Sequence, residues 1–149
     1  MKFKRQQTKE KLDMGLDMYA YVANREGQKK DFYENGEYDS VTNEYVNKNV
    51  EKPREIAYWR KHPNLHGWMH KLWNEKGFDG DFNGDELELN WEDLDRLEYV
   101  VKHRELPNTS GFFFGNNADL DYYQDDLTFI KNARAELFLG LKVFYNSSW

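Results

Sequence analysis

His62, His66 and His70 recur every four residues, and successive helical turns would align three imidazoles on one face, as in helical zinc sites. Pro63 interrupts the series, because proline disfavours the helical conformation in the residue before it. His66 and His70 alone have the i, i+4 spacing of an H-E-x-x-H zinc motif, but Gly67 stands where its glutamate would be. Two imidazoles do not close a metal site. Core or surface histidines are the plainer account, and no metal or other cofactor is assigned.

Asp79, Asp81, Asn83, Gly84 and Asp85 match the opening of a calcium loop, with oxygen ligands at alternate positions and a glycine at the turn. The match then fails. Glu86 falls where the loop tucks in an aliphatic residue, and Asn90 cannot supply the bidentate carboxylate that closes the site. A turn carrying solvated acids explains the same residues.

A third group mixes rings with cations. Trp59, Arg60, Lys61, His66 and Trp68, with Tyr123 from a later helix, form the candidate ligand-binding set. Arginine offers a planar fork to phosphate or carboxylate, and aromatic faces stack on flat rings. The competing account is packing, because tryptophans at helical spacing line cores and neighbouring cations lay their stems along them. Burial of both tryptophans, with Arg60 tied to a carboxylate, would favour a structural or protein-partner role. No residue is assigned a catalytic role: the chain has no G-x-S-x-G, P-loop or G-x-G-x-x-G pattern.

The elements that must hold these residues follow from composition and periodicity. The 149 residues suit one domain, and the absence of cysteine excludes disulfides and thiol chemistry. Aromatics make up 17% of a chain that is 32% charged, which predicts a folded core built from rings. A net charge of -6 makes nucleic acid an unfavoured partner. No apolar run reaches the length of a membrane span.

Residues 1–13 read as a mobile basic arm, and 14–149 as a single α+β domain. Strands are predicted at 16–23, 85–89 and 141–146 in a small, mainly antiparallel sheet. Leu16, Met18, Ala20 and Val22 alternate with Asp17, Tyr19 and Tyr21, the period of a half-buried strand. Helices are predicted over 53–62, starting at Pro53, and over 64–77, with Pro63 as the corner between them. Asn90, with Asp93 three residues on, marks a capped helix over 90–104, and a last helix spans 118–139 and ends at Gly140. The polar stretch 28–51 holds Asn35-Gly36, a hairpin signal, with short strands around Phe32-Tyr33 and Tyr38-Val41. Gly111-Phe112-Phe113-Phe114-Gly115 reads as a short strand or buried loop.

Several segments, in order, carry a resemblance: Met14-Gly15-Leu16-Asp17-Met18-Tyr19, Tyr58-Trp59-Arg60-Lys61, Leu65-His66-Gly67-Trp68, Gly111–Gly115, Asp121-x-Tyr123-x-x-Asp126-Leu127 and Phe144-Tyr145-x-Ser147-Ser148-Trp149. Together they resemble a family of small, uncharacterised proteins encoded by bacteriophages and prophages. Members often bear the label phosphoglycerate kinase, which a single domain of this size cannot justify, since that enzyme needs two domains of several hundred residues in total. The resemblance implies a phage-related origin and action in the host bacterial cytoplasm. The expected function is a non-enzymatic accessory protein that binds a host component or a small anionic, nucleotide-like ligand through residues 58–68. The alternative is a small enzyme acting on a nucleotide or phosphorylated metabolite, with His66 as acid–base and Arg60 on the phosphate. A homo-oligomer is a further expectation.

Overall fold

The computed structural model describes residues 15–109 and 119–149. The arm at 1–13 and the Gly111–Gly115 run lie outside the described residues. Strands β1 (Asp17–Ala23), β4 (Arg54–Arg60), β5 (Leu87–Leu89) and β6 (Lys142–Ser148) form an antiparallel sheet in the order β4–β1–β6–β5. Helices α2 (Pro63–Glu75), α3 (Trp91–Lys102) and α4 (Asp119–Phe138) supply the other side of its core. A helix α1 (Gln28–Glu34) and a separate hairpin, β2 (Glu37–Asp39) with β3 (Glu44–Val46), occupy the link between β1 and β4. The fold is α+β, and among the described residues no helix is long and apolar enough to cross a membrane.

Alternation decides which face is which. Met18, Ala20 and Val22 of β1 pack with Val143 and Tyr145 of β6, Leu65, Met69 and Leu72 of α2, Leu94 and Leu97 of α3, and Phe129 and Ile130 of α4. Tyr21, Ala23 and Phe144 point the other way and make a small cluster of their own. The predicted helix start holds at α3 and the predicted stop at α4. The Asn90 side chain accepts from the Asp93 N–H while Asp93 accepts from the Asn90 N–H, a complete capping box. Gly140 takes φ +90 just beyond α4, where a side chain would be strained.

The helix predicted over 53–62 is a strand. Arg54–Arg60 pairs with β1, and the register slips between Ala20 and Tyr21 so that Ile56 has no partner opposite it. This bulge sends the consecutive residues Ile56 and Ala57 toward the core together with Trp59. Period two is broken there, and Pro53, read as the first turn of a helix, stands just before a strand instead. Pro63 then opens α2 at its first turn, with His62 in a non-helical conformation ahead of it.

The region 28–51 also differs from expectation. Phe32 and Tyr33 are helical, and Asn35-Gly36 closes α1 instead of turning the hairpin. A Cβ on Gly36 would lie 2.6 Å from the carbonyl oxygens of both Phe32 and Val46, so the glycine serves a close backbone approach. Gly67, on α2, serves a close approach as well, since a Cβ there would collide with the Thr109 side chain.

Candidate functional site

Trp59, residues 62–66 and Trp68 of the segment 58–68 are built into the core, whereas Tyr58 is exposed. Trp59 is 1% exposed, and its Nε1–H donates to Asp126 Oδ1 at 2.9 Å. His62 Nε2 meets Asp126 Oδ2 at 2.9 Å, and the His62 ring stacks on Tyr122 at 4.8 Å. The Tyr122 hydroxyl accepts from the Arg60 N–H at 3.0 Å and donates to the Arg60 carbonyl at 2.7 Å. Burial raises the Asp126 carboxyl above its ordinary range, and the hydrogen bonds from His62 and Trp59 oppose that rise. The arrangement ties β4 and the start of α2 to α4.

The remaining members of the set do not converge on an open recess. Arg60 Nη1 donates to Asp17 Oδ1 at 2.7 Å, and the Tyr58 hydroxyl donates to the same oxygen. Lys61 sits at φ +57 and donates its N–H to the Leu16 carbonyl, with its side chain against Gly15. His66 is buried, with Nδ1 2.8 Å from the Tyr145 hydroxyl and its ring stacked on Phe82. Burial, with a smaller contribution from nearby His70, lowers the His66 pKa to about 4, so the ring is neutral near pH 7 and offers no positive charge to an anion. Trp68 is 7% exposed beneath Arg96, and Tyr123 is half-buried beneath Arg104. Trp59, His66 and Trp68 all face the core, because helical spacing on α2 and the bulge in β4 turn these rings inward.

The histidine series and the acidic loop also separate into structural parts. His62 meets Asp126 while His66 and His70 both stack on Phe82, and among the described residues no group of three His, Asp or Glu is placed to hold a metal ion. In the loop, Phe82 is fully buried in a left-handed backbone conformation, which costs a non-glycine residue about 1 kcal/mol and is offset by burying its ring. Asn83 exchanges two hydrogen bonds with the backbone of Trp149, at 2.9 and 3.0 Å, so its side chain is used in holding the end of β6.

The open part of the molecule is the other face of the sheet. There Tyr19 and Tyr21 of β1, Tyr33 and Lys29 of α1, and Lys52 and Arg54 at the start of β4 line a cleft of about 650 Å³. Lys29 Nζ lies 4.6 Å from the centre of the Tyr21 ring and 5.7 Å from that of Tyr19. Among the described residues it makes no ion pair, and burial lowers its pKa, with the Glu86 and Glu55 carboxylates opposing the shift. Lys52 is exposed and likewise without an ion pair among the described residues, whereas the Arg54 guanidinium turns to Glu136 at 2.8 Å. The Tyr21 hydroxyl donates to Glu86 Oε2 at 2.5 Å, and the Gly27 N–H donates to Glu86 Oε1 at 2.9 Å, so one carboxylate fixes both the floor and the start of α1. Burial and that carboxylate push the Tyr21 hydroxyl pKa well up, keeping it protonated.

Sequence reasoning passed over this cleft, although half of its signal was visible in the outward tyrosines of β1. The other half, Lys29 folded back from α1 onto the same face, depends on a tertiary contact that no spacing encodes. Comparison of the chain with protein-family models, curated proteins and solved structures gave no match.

Proposed function

We propose that this chain is a phage-related accessory protein of a bacterial host cytoplasm that binds a small anionic, ring-bearing ligand without catalysis, through the tyrosine–lysine cleft of its open sheet face. The observation that carries the reading is Lys29, a half-buried cation with no ion pair among the described residues, resting on the faces of Tyr19 and Tyr21 in an open recess. Partial removal of an ammonium from water is unfavourable, and an anion arriving beside it offsets that loss. Tyr33 is 39% exposed and Tyr19 half-buried, so each presents ring surface on which a flat ligand can stack. Lys52 adds a second cation at the rim.

The reading keeps the ligand class expected from the sequence and moves its site from residues 58–68 to the opposite face. Catalysis has less support, because His66 is neutral and enclosed and Arg60 is paired to Asp17. The test is native mass spectrometry of the protein isolated from bacterial cytosol, wild type beside Lys29→Ala. A small anionic species retained by the wild type and lost from the variant is the expected result. A bare chain in both samples, or a host protein retained equally by both, would remove the reading.

A further inference from the structure

The cleft continues past Lys29. A second recess of about 560 Å³ shares Tyr21, Lys29 and Tyr33 with the first and runs on to Gly84, Asp85, Glu86 and Asn146. The two ends differ in charge. At the first end stand Lys52 and the paired Arg54, with Glu55 the one acid among the described residues. At the second, Glu34, Asp85 and Glu86 face a single further cation, Lys30.

The acids of that second end are not equally available. Both oxygens of Glu86 are used, by the Tyr21 hydroxyl and the Gly27 N–H, and Glu34 lies 4.0 Å from Lys30. Asp85 is half-buried and, among the described residues, has neither a hydrogen bond nor an ion pair. An ionised carboxylate is an acceptor only, so a ligand group meeting Asp85 must bring N–H or O–H donors. Lys52 and Lys29 at the other end demand an acceptor with negative charge.

We infer that the ligand is bipolar: a phosphate held at Lys29 and Lys52, and a ring bearing an exocyclic amine that donates to Asp85, as in a nucleotide with an amino-substituted base. The inference rests on the cleft being a binding site. It adds that the site discriminates an amino group from a carbonyl at the same ring position. A carbonyl there would face the Asp85 carboxylate as acceptor against acceptor, leaving both unpaired, and loss of one such hydrogen bond to a charged group weakens binding about tenfold or more.

Isothermal titration of the purified full chain with adenosine 5′-monophosphate and 1-methylinosine 5′-monophosphate tests this, because the second carries a carbonyl where the first has its amine and has no hydrogen on N1 to donate in its place. The adenosine form should bind about tenfold more tightly. Asp85→Asn should remove most of that preference, since an amide presents both a donor and an acceptor, while Lys52→Ala should weaken both ligands by a similar factor. Thermal midpoints of both variants within a few degrees of wild type establish that they fold. Equal binding of the two nucleotides, unchanged by Asp85→Asn, would overturn the inference and leave the cleft reading intact. Failure of the folded wild type to bind either one would overturn both.

Discussion

On the helix-covered face of the sheet most rings, imidazoles and charges are matched to one another, Trp59 and His62 to Asp126 and His66 to Tyr145, although Trp73 Nε1 is buried there with no hydrogen-bond partner among the described residues. On the opposite face the same residue types are left partly unmatched. Lys29 rests on tyrosine rings and Asp85 meets no partner among the described residues. Polar groups in a closed core must be satisfied internally, because nothing else can reach them. At an open cleft the matching group can arrive from outside. Chemical type alone therefore says little about function here, and it is the sheet face that sorts the locked residues from the available ones.

The sharpest contrast comes from removing one ring on each side. Phe82→Ala empties a fully buried position among His66, Trp73 and Tyr145 and should lower unfolding free energy by about 3–5 kcal/mol in urea denaturation. Tyr19→Ala on the open face should cost less, about 1 kcal/mol, while weakening the ligand. A similar cost for both would erase the distinction between the faces. Carboxylates divide in the same way. Asp126→Ala strips Trp59 and His62 of their partner and should cost about 3–5 kcal/mol, whereas Asp17→Ala, which breaks the partly exposed pair with Arg60, should stay within about 1 kcal/mol.

The closed face should also carry an acid-sensitive term. His66 binds its proton at about pKa 4 in the folded chain against 6.5 for a free imidazole, so protonation favours the unfolded state. Its contribution is complete above pH 6.5 and declines as pH falls from 6.5 through about 4, by up to about 3 kcal/mol. The raised Asp126 carboxyl acts with the opposite sign, giving stability below its ordinary pKa of 3.8 that is lost as pH rises through the folded value. Comparing wild type with His66→Phe isolates the histidine: the variant's unfolding curve should lose the decline between pH 6.5 and 4. A decline of equal size in the variant would place its source elsewhere.

The smallest effect belongs to the acidic loop. Asp79→Ser with Asp81→Ser replaces two exposed acids and should change stability by no more than about 0.5 kcal/mol. Millimolar calcium should leave the thermal midpoint of wild type and variant alike. A calcium-dependent rise in the wild type alone would restore the loop as a metal site.

Much of the fold was legible in the sequence because it rests on local rules. The alternation of Met18, Ala20 and Val22, the Asn90–Asp93 cap and the stripe of Leu65, Trp68, Met69 and Leu72 each act over a few residues, and each appears as predicted. The strand at Arg54–Arg60 was hidden by its bulge, which puts Ile56 and Ala57 on one side in succession. The surroundings of the candidate residues were illegible for a related reason. Trp59, Arg60 and His66 have the composition of a binding site, but their fate is decided by Asp126, Asp17 and Tyr145, partners far away in sequence. Lys29 and Asp85 meet across one recess only because α1 and the loop before β5 both fold onto the outward face of β1 and β6.

The account turns on which face of the sheet takes a ligand, and a nitrogen-15 amide and indole NMR titration with adenosine 5′-monophosphate reads that directly. Shifts should concentrate at Tyr19, Tyr21, Lys29, Tyr33 and Lys52 and extend to Asp85, with the Trp59 indole and the amides of Leu65–Met69 unmoved. Shifts centred on Trp59, Arg60 and Trp68, with a silent Lys29, would contradict it.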